Sequence, residues 1–152
     1  MNKFFAQLTQ NPSQEFVGNL LLRVPVGITF ALHGAQKLFG WFGGYGLAGT
    51  AGWMESIGLA PGYLMALMAG SAEFFGGLLL MLGLLTRPTG LVLALTMVVA
   101  IFTVHWQHGF FMSNNGYEFA LALLAASLAI AASGAGKFAL DTVIHKKLSK
   151  LD

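Results

Sequence analysis

The chain has 152 residues, of which 56% are hydrophobic and only 9% charged, against about 25% charged in an ordinary soluble domain. So little polar surface excludes a soluble globular domain, a disordered chain and a nucleic-acid-binding module. The net charge of +2 arises from 8 basic and 6 acidic residues, so their placement says more than their sum.

The length bounds the chain to one unit, a single membrane domain over 1–152. Four apolar segments follow in order, at about 17–39, 63–85, 88–106 and 117–132. Each is near the ~20 residues that carry a helix across ~30 Å of hydrocarbon. Lipid offers no partner to backbone amides, so the segments are expected to be helical. The fold class is all-α, an integral membrane four-helix bundle. Asn11-Pro12-Ser13-Gln14 places a capping residue before a proline at a helix start, and Pro61 and Pro88 precede segments two and three similarly. Pro25 lies inside the first segment and predicts a kink. Nothing before the first segment has the form of a cleavable signal peptide.

The Gly- and Trp-rich linker 40–60 has a weak helical period, read as a short interfacial helix. Thr86-Arg87 is a very tight connection, residues 107–116 form a polar loop, and 134–152 form a polar tail. Lys3, Arg87 and the tail residues Lys137, Lys146, Lys147 and Lys150 fall on one side, which puts both termini in the cytoplasm by the positive-inside rule. All three Trp and all three Tyr fall on the other side, as a one-sided aromatic belt.

Cysteine is absent, which removes disulfides, thiolate metal sites, iron–sulfur clusters and cysteine nucleophiles together. Any redox chemistry then belongs to a bound cofactor or substrate. The ionisable residues within the apolar segments carry the remaining information, because each costs roughly 2.5–3.5 kcal/mol at a helix centre. Counted at ~1.5 Å per residue, Arg23 and Glu73 differ by about 6 Å in depth, within reach of an arginine. They are expected to pair, either as a lock between the first two helices or as a tuned carboxylate for proton transfer. A second layer lies near the aromatic side: His33, with Lys37 one turn beyond it, His105 at matching depth, and His108 and Glu118 at the boundary. His33, Lys37 and His105 predict a polar pocket between the first and third helices, capped by the 40–60 linker. Glu73, His33 and His105 are the candidate catalytic residues; Arg23, Lys37, His108 and Glu118 are candidate ligand-binding residues. His105, His108 and Glu118 carry no metal assignment, since interfacial histidines without a metal are far commoner. The glycines and alanines of segments two and four read as packing surfaces.

The order Leu22-Arg23, His33-Gly34, Lys37-Leu38, Trp53-Met54, Ile57-Gly58, Glu73 with Gly76-Gly77, then Leu82-Gly83-Leu84-Leu85-Thr86-Arg87-Pro88 and Gly134-Ala135-Gly136 with Asp141 resembles the DoxX family of small four-helix bacterial membrane proteins. Ala135 stands where the family often has proline. The resemblance implies an inner-membrane protein linked to redox chemistry, because the family takes its name from a subunit of a quinone-linked oxidoreductase. Other relatives are associated with quinone or thiol stress and with membrane redox complexes. Three classes remain open: a redox-linked protein holding a quinone-like or small aromatic ligand, a non-catalytic partner or anchor of a redox enzyme, and a small transporter. The residue pattern permits a quinone without naming a cofactor. The lipid bilayer is the one certain partner, and a homo-oligomer is left open.

Overall fold

The structure, a computed structural model, describes residues 12–149, and all regular structure among them is helical. Helix α1 spans Pro12–Phe39, α2 Gly46–Ser56, α3 Gly62–Leu82, α4 Thr86–Ala100, α5 Glu118–Ser133 and α6 Leu140–Leu148. A π-turn, Ile101–His105, and a 3-10 turn, Trp106–His108, extend α4 without a break. Three helices are long and apolar enough to span a membrane, Val17–Phe39, Gly62–Leu82 and Thr86–His108, and α5 is a shorter apolar fourth. Lys3, Asn11 and Lys150 lie outside the described residues.

The chain is a membrane-embedded four-helix bundle. Its outward faces are apolar where a soluble bundle would be polar: Leu21, Leu95 and Phe102 are each more than 60% exposed. These faces contact lipid. The linker expected to be helical does form one, and α2 docks Ala51 and Met54 onto Ala66 of α3. Helix α1 runs unbroken through Pro25, and the Thr29 hydroxyl donates to the Pro25 carbonyl at 3.0 Å.

Packing passes from α1 to α3, from α3 to α4, from α4 to α5, and from α5 back to α1. Helices α1 and α3 cross closely where Gly27 faces Gly77. A Cβ on Gly27 would stand 2.6 Å from the Gly77 carbonyl oxygen, so only glycine lets the two backbones meet here. Between the helices, Phe30, Leu80, Leu93, Met97 and Ile130 form the core.

One end of the bundle is tied by polar groups. Helix α4 starts at Thr86, and its first amides lack partners in their own helix. The Asp141 carboxylate supplies them, accepting from the Leu85 and Thr86 amides at 2.8 and 2.9 Å. The Asp141 amide in turn donates to the Gly83 carbonyl at 3.0 Å. The tight Gly83–Pro88 turn and the distant Asp141 are therefore two halves of one cap. This is the basic end of the bundle, with Arg87 at the turn. The opposite end carries His33, His105, α2 and the aromatic residues.

Candidate functional site

Near the histidine end the bundle encloses a cavity of about 580 Å³, within the usual range for small-molecule sites. Helix α1 contributes Phe30, His33 and Lys37, whose spacing of three and four residues aligns them on one face. Trp53 and Met54 of α2 lie across the mouth, and Phe119 and Ala120 of α5 close the far side. Most of the lining is apolar, with His33, Lys37, Glu73 and His105 as its ionisable groups.

Glu73 is buried on α3, and its carboxylate accepts a hydrogen bond from Lys37 Nζ at 2.5 Å. The two side chains are 5% and 26% exposed, so the ammonium is the more accessible of the two. The His33 ring lies 6.1 Å from that of Phe119, centroid to centroid.

Thr103, Val104 and His105 all line the cavity although they are consecutive. Three successive residues of a regular α-helix sweep too wide an arc to share one face, and the π-turn Ile101–His105 is what gathers them. The His105 ring is then fixed from behind. Its Nδ1 lies 2.7 Å from the Asn115 carbonyl oxygen, and a carbonyl can only accept, so Nδ1 bears a proton and, in the neutral ring, Nε2 is left as an acceptor. Asn115 reaches this position through a left-handed backbone, φ 65°, in the loop before α5.

The expected Arg23–Glu73 pair is not formed. Arg23 is 2% exposed, but its guanidinium donates to the carbonyls of Leu80, Met81 and Phe138 at 2.8, 2.6 and 2.7 Å, at the basic end. The crossing register explains the error. Gly27 sits opposite Gly77, so Arg23, one turn before Gly27, meets the C-terminal carbonyls of α3, where the helix dipole favours a cation. Glu73 lies instead beside Gly34, whose Cβ would meet Phe74, about 16 Å of helix rise from Arg23. Lys37, one turn past Gly34, is the cation within reach.

The structure thus gathers four of the seven candidate residues, His33, Lys37, Glu73 and His105, around one cavity. Arg23, His108 and Glu118 do not line it. Among the described residues no three His, Cys, Asp or Glu side chains stand close enough to share a metal ion. The cavity is wider than a slot between the first and third membrane segments, α1 and α4, because α3 and α5 also form its walls. Sequence reasoning did not find Asn115, although Asn115-Gly116 is a turn signal, nor the cavity hydroxyls of Thr96 and Thr103.

The model of the DoxX family matches residues 18–106, which include most of α1, all of α2, α3 and α4, and most of the cavity wall. The chain belongs to the DoxX family. It is 40% identical over 130 residues to "Putative oxidoreductase CatD" of Bacillus subtilis (strain 168), covering 86% of this chain and 89% of that protein. It is 31% identical over 133 residues to "Inner membrane protein YqjF" of Escherichia coli (strain K12), covering 88% and 96%. A Haemophilus influenzae protein is 37% identical over 129 residues, covering 83% and 90%. No solved structure matches. In this DoxX chain the motif residues divide by role. Gly77, Gly83 and Asp141 hold the helices together, whereas His33, Lys37 and Glu73 face the cavity.

Proposed function

We propose that this DoxX protein is a redox-linked protein of the bacterial inner membrane that binds a quinone-like or small aromatic ligand in the cavity at the histidine end. The single observation that carries this reading is the cavity itself: about 580 Å³ of mainly apolar space with a half-buried Lys37–Glu73 pair and two imidazoles in its wall. An apolar ring needs dispersion contacts on its faces, supplied by Phe30, Trp53 and Phe119, and polar partners at its oxygens. Lys37 keeps ammonium hydrogens beyond the one given to Glu73, and the His33 and His105 rings add nitrogens that can bond a ring oxygen or its hydroxyl. With no cysteine in the chain, the bound ring is the electron carrier and these side chains bind it and move protons at its oxygens.

Relatives named as an oxidoreductase and as an inner membrane protein support the redox link and the membrane. The basic residues at the Arg87 end support cytoplasmic termini, with the cavity opening toward the other side. The chain acts with a redox-enzyme partner that exchanges electrons with the bound ring.

The test is retention of quinones by the purified full chain in native mass spectrometry, followed by binding of duroquinone, in either redox form, to the wild type and to Ala100→Phe. Ala100 lines the cavity, and a phenyl group there would occupy the space of the ring. Binding by the wild type that is lost in the folded Ala100→Phe protein is the expected result. Failure of the wild type to bind either form overturns the reading and leaves an anchor or a transporter.

A further inference from the structure

The polar groups on the α4 wall of the cavity share one property. Thr96 donates its hydroxyl hydrogen to the Val92 carbonyl at 3.0 Å, and Thr103 donates its own to the Val99 carbonyl at 2.8 Å. Each oxygen keeps only lone pairs for the cavity. His105 behaves likewise, since the Asn115 carbonyl holds the Nδ1 proton and Nε2 is left as an acceptor. Both threonines and His105 line the cavity, so three polar side chains on one wall accept hydrogen bonds and offer no hydrogen. The firm donors stand elsewhere: the Lys37 ammonium, held on the α1–α3 side by Glu73, the Trp53 indole N–H on α2, and the Asn115 amide in the loop. His33 and the Tyr45 hydroxyl can serve in either sense.

The geometry points to a ligand that carries hydroxyl donors, a hydroquinone or other phenol, in preference to the corresponding quinone. This rests on the reading of the cavity as a ring site and deepens it. A quinone carbonyl can accept from Lys37, but its second carbonyl would meet lone pairs along α4, acceptor against acceptor, and both would be desolvated without a partner. A hydroquinone satisfies both walls, since each hydroxyl donates and accepts. It can donate to His105 Nε2 or a threonine oxygen at one end of the ring and accept from Lys37 at the other. A missing donor leaves these half-buried acceptors unpaired against the ligand, which disfavours the quinone. His105 is the specificity-determining residue, because its proton position is set by a backbone carbonyl and cannot rotate as a free hydroxyl does.

The test compares duroquinone with durohydroquinone, which share one carbon skeleton and have no open ring position for addition by a lysine. Dissociation constants are measured for the full-length protein in detergent by calorimetry, with the hydroquinone kept anaerobic in excess reductant. One extra neutral hydrogen bond predicts that the wild type binds durohydroquinone about fivefold to tenfold tighter than duroquinone. His105→Phe should lose most of that preference and leave duroquinone affinity within about twofold, since the ring keeps its contacts. Equal binding of the two forms, or tighter binding of duroquinone, by the wild type overturns donor selection while the cavity stands as a ring site. Binding of neither form overturns both readings. The wild-type comparison decides the matter even if His105→Phe fails to fold, and a preference that survives in a folded His105→Phe protein assigns no selective role to His105 and overturns that part.

Discussion

Replacing Lys37 by Met should destabilise the bundle more than replacing Glu73 by Leu, although both remove the same ion pair. In Lys37→Met the carboxylate left behind is 5% exposed in the wild type and has lost its cation. A buried charge stripped of its partner costs about 3–5 kcal/mol, and the lower end applies because water can enter where the lysine stood. In Glu73→Leu the survivor is Lys37, already 26% exposed and on a flexible stem near the mouth of the cavity. It can turn its ammonium toward water, so the loss is about 1–2 kcal/mol, chiefly one charge-assisted hydrogen bond. The double variant should be more stable than Lys37→Met alone, because no charge remains to be buried. The assay is unfolding of the purified protein in mixed micelles with increasing denaturing detergent, followed by circular dichroism, with all four proteins in a double-mutant cycle. Equal losses from the two single variants, or a double variant that merely sums them, would refute the reasoning. The Lys37–Glu73 contact would then carry no coupling, and Glu73 would be held by something other than its cation.

Three further outcomes follow from the same geometry. Asp141→Ala removes the acceptor for the Leu85 and Thr86 amides and should cost about 1–2 kcal/mol; hydrogen exchange should rise at those two amides first, and unchanged exchange there would show that the cap is dispensable. Gly77→Ala puts a methyl group against the Gly27 carbonyl and should cost about 1–3 kcal/mol by forcing α1 and α3 apart, measured in the same detergent titration; a neutral result would contradict the close crossing. With no native cysteine, single cysteines report topology cleanly: a membrane-impermeant maleimide on intact cells should label Tyr45→Cys, exposed at the histidine end, and spare Lys146→Cys, and the reverse pattern would invert the orientation.

Composition by itself determined that the chain is helical and lies in a membrane. Segment length against bilayer thickness is a property of consecutive residues, and so is the absence of cysteine. The rarity of charge inside the segments also marked Arg23, His33, Lys37, Glu73 and His105 for attention before any fold was known, because each is costly in lipid. Counting residues gave approximate depths, enough to place His33 and His105 at the same level. Which groups meet was decided by the tertiary structure. Counting residues put Arg23 within reach of Glu73 and Lys37 in the outer layer, and the actual partner was set by the register at which Gly27 crosses Gly77. Long cationic side chains extend several ångströms along a helix in either direction, so depth alone cannot assign their partners. The proton on His105 was likewise beyond one-dimensional reading. It depends on a π-turn in α4 and a left-handed Asn115, ten residues away in sequence, meeting at 2.7 Å. The cap on α4 joins Leu85 and Thr86 to Asp141 across more than fifty residues, a pairing that exists only because α5 returns the chain to the basic end. Local chemistry sets what each segment can be; the crossing of backbones decides which of its polar groups are left for a ligand.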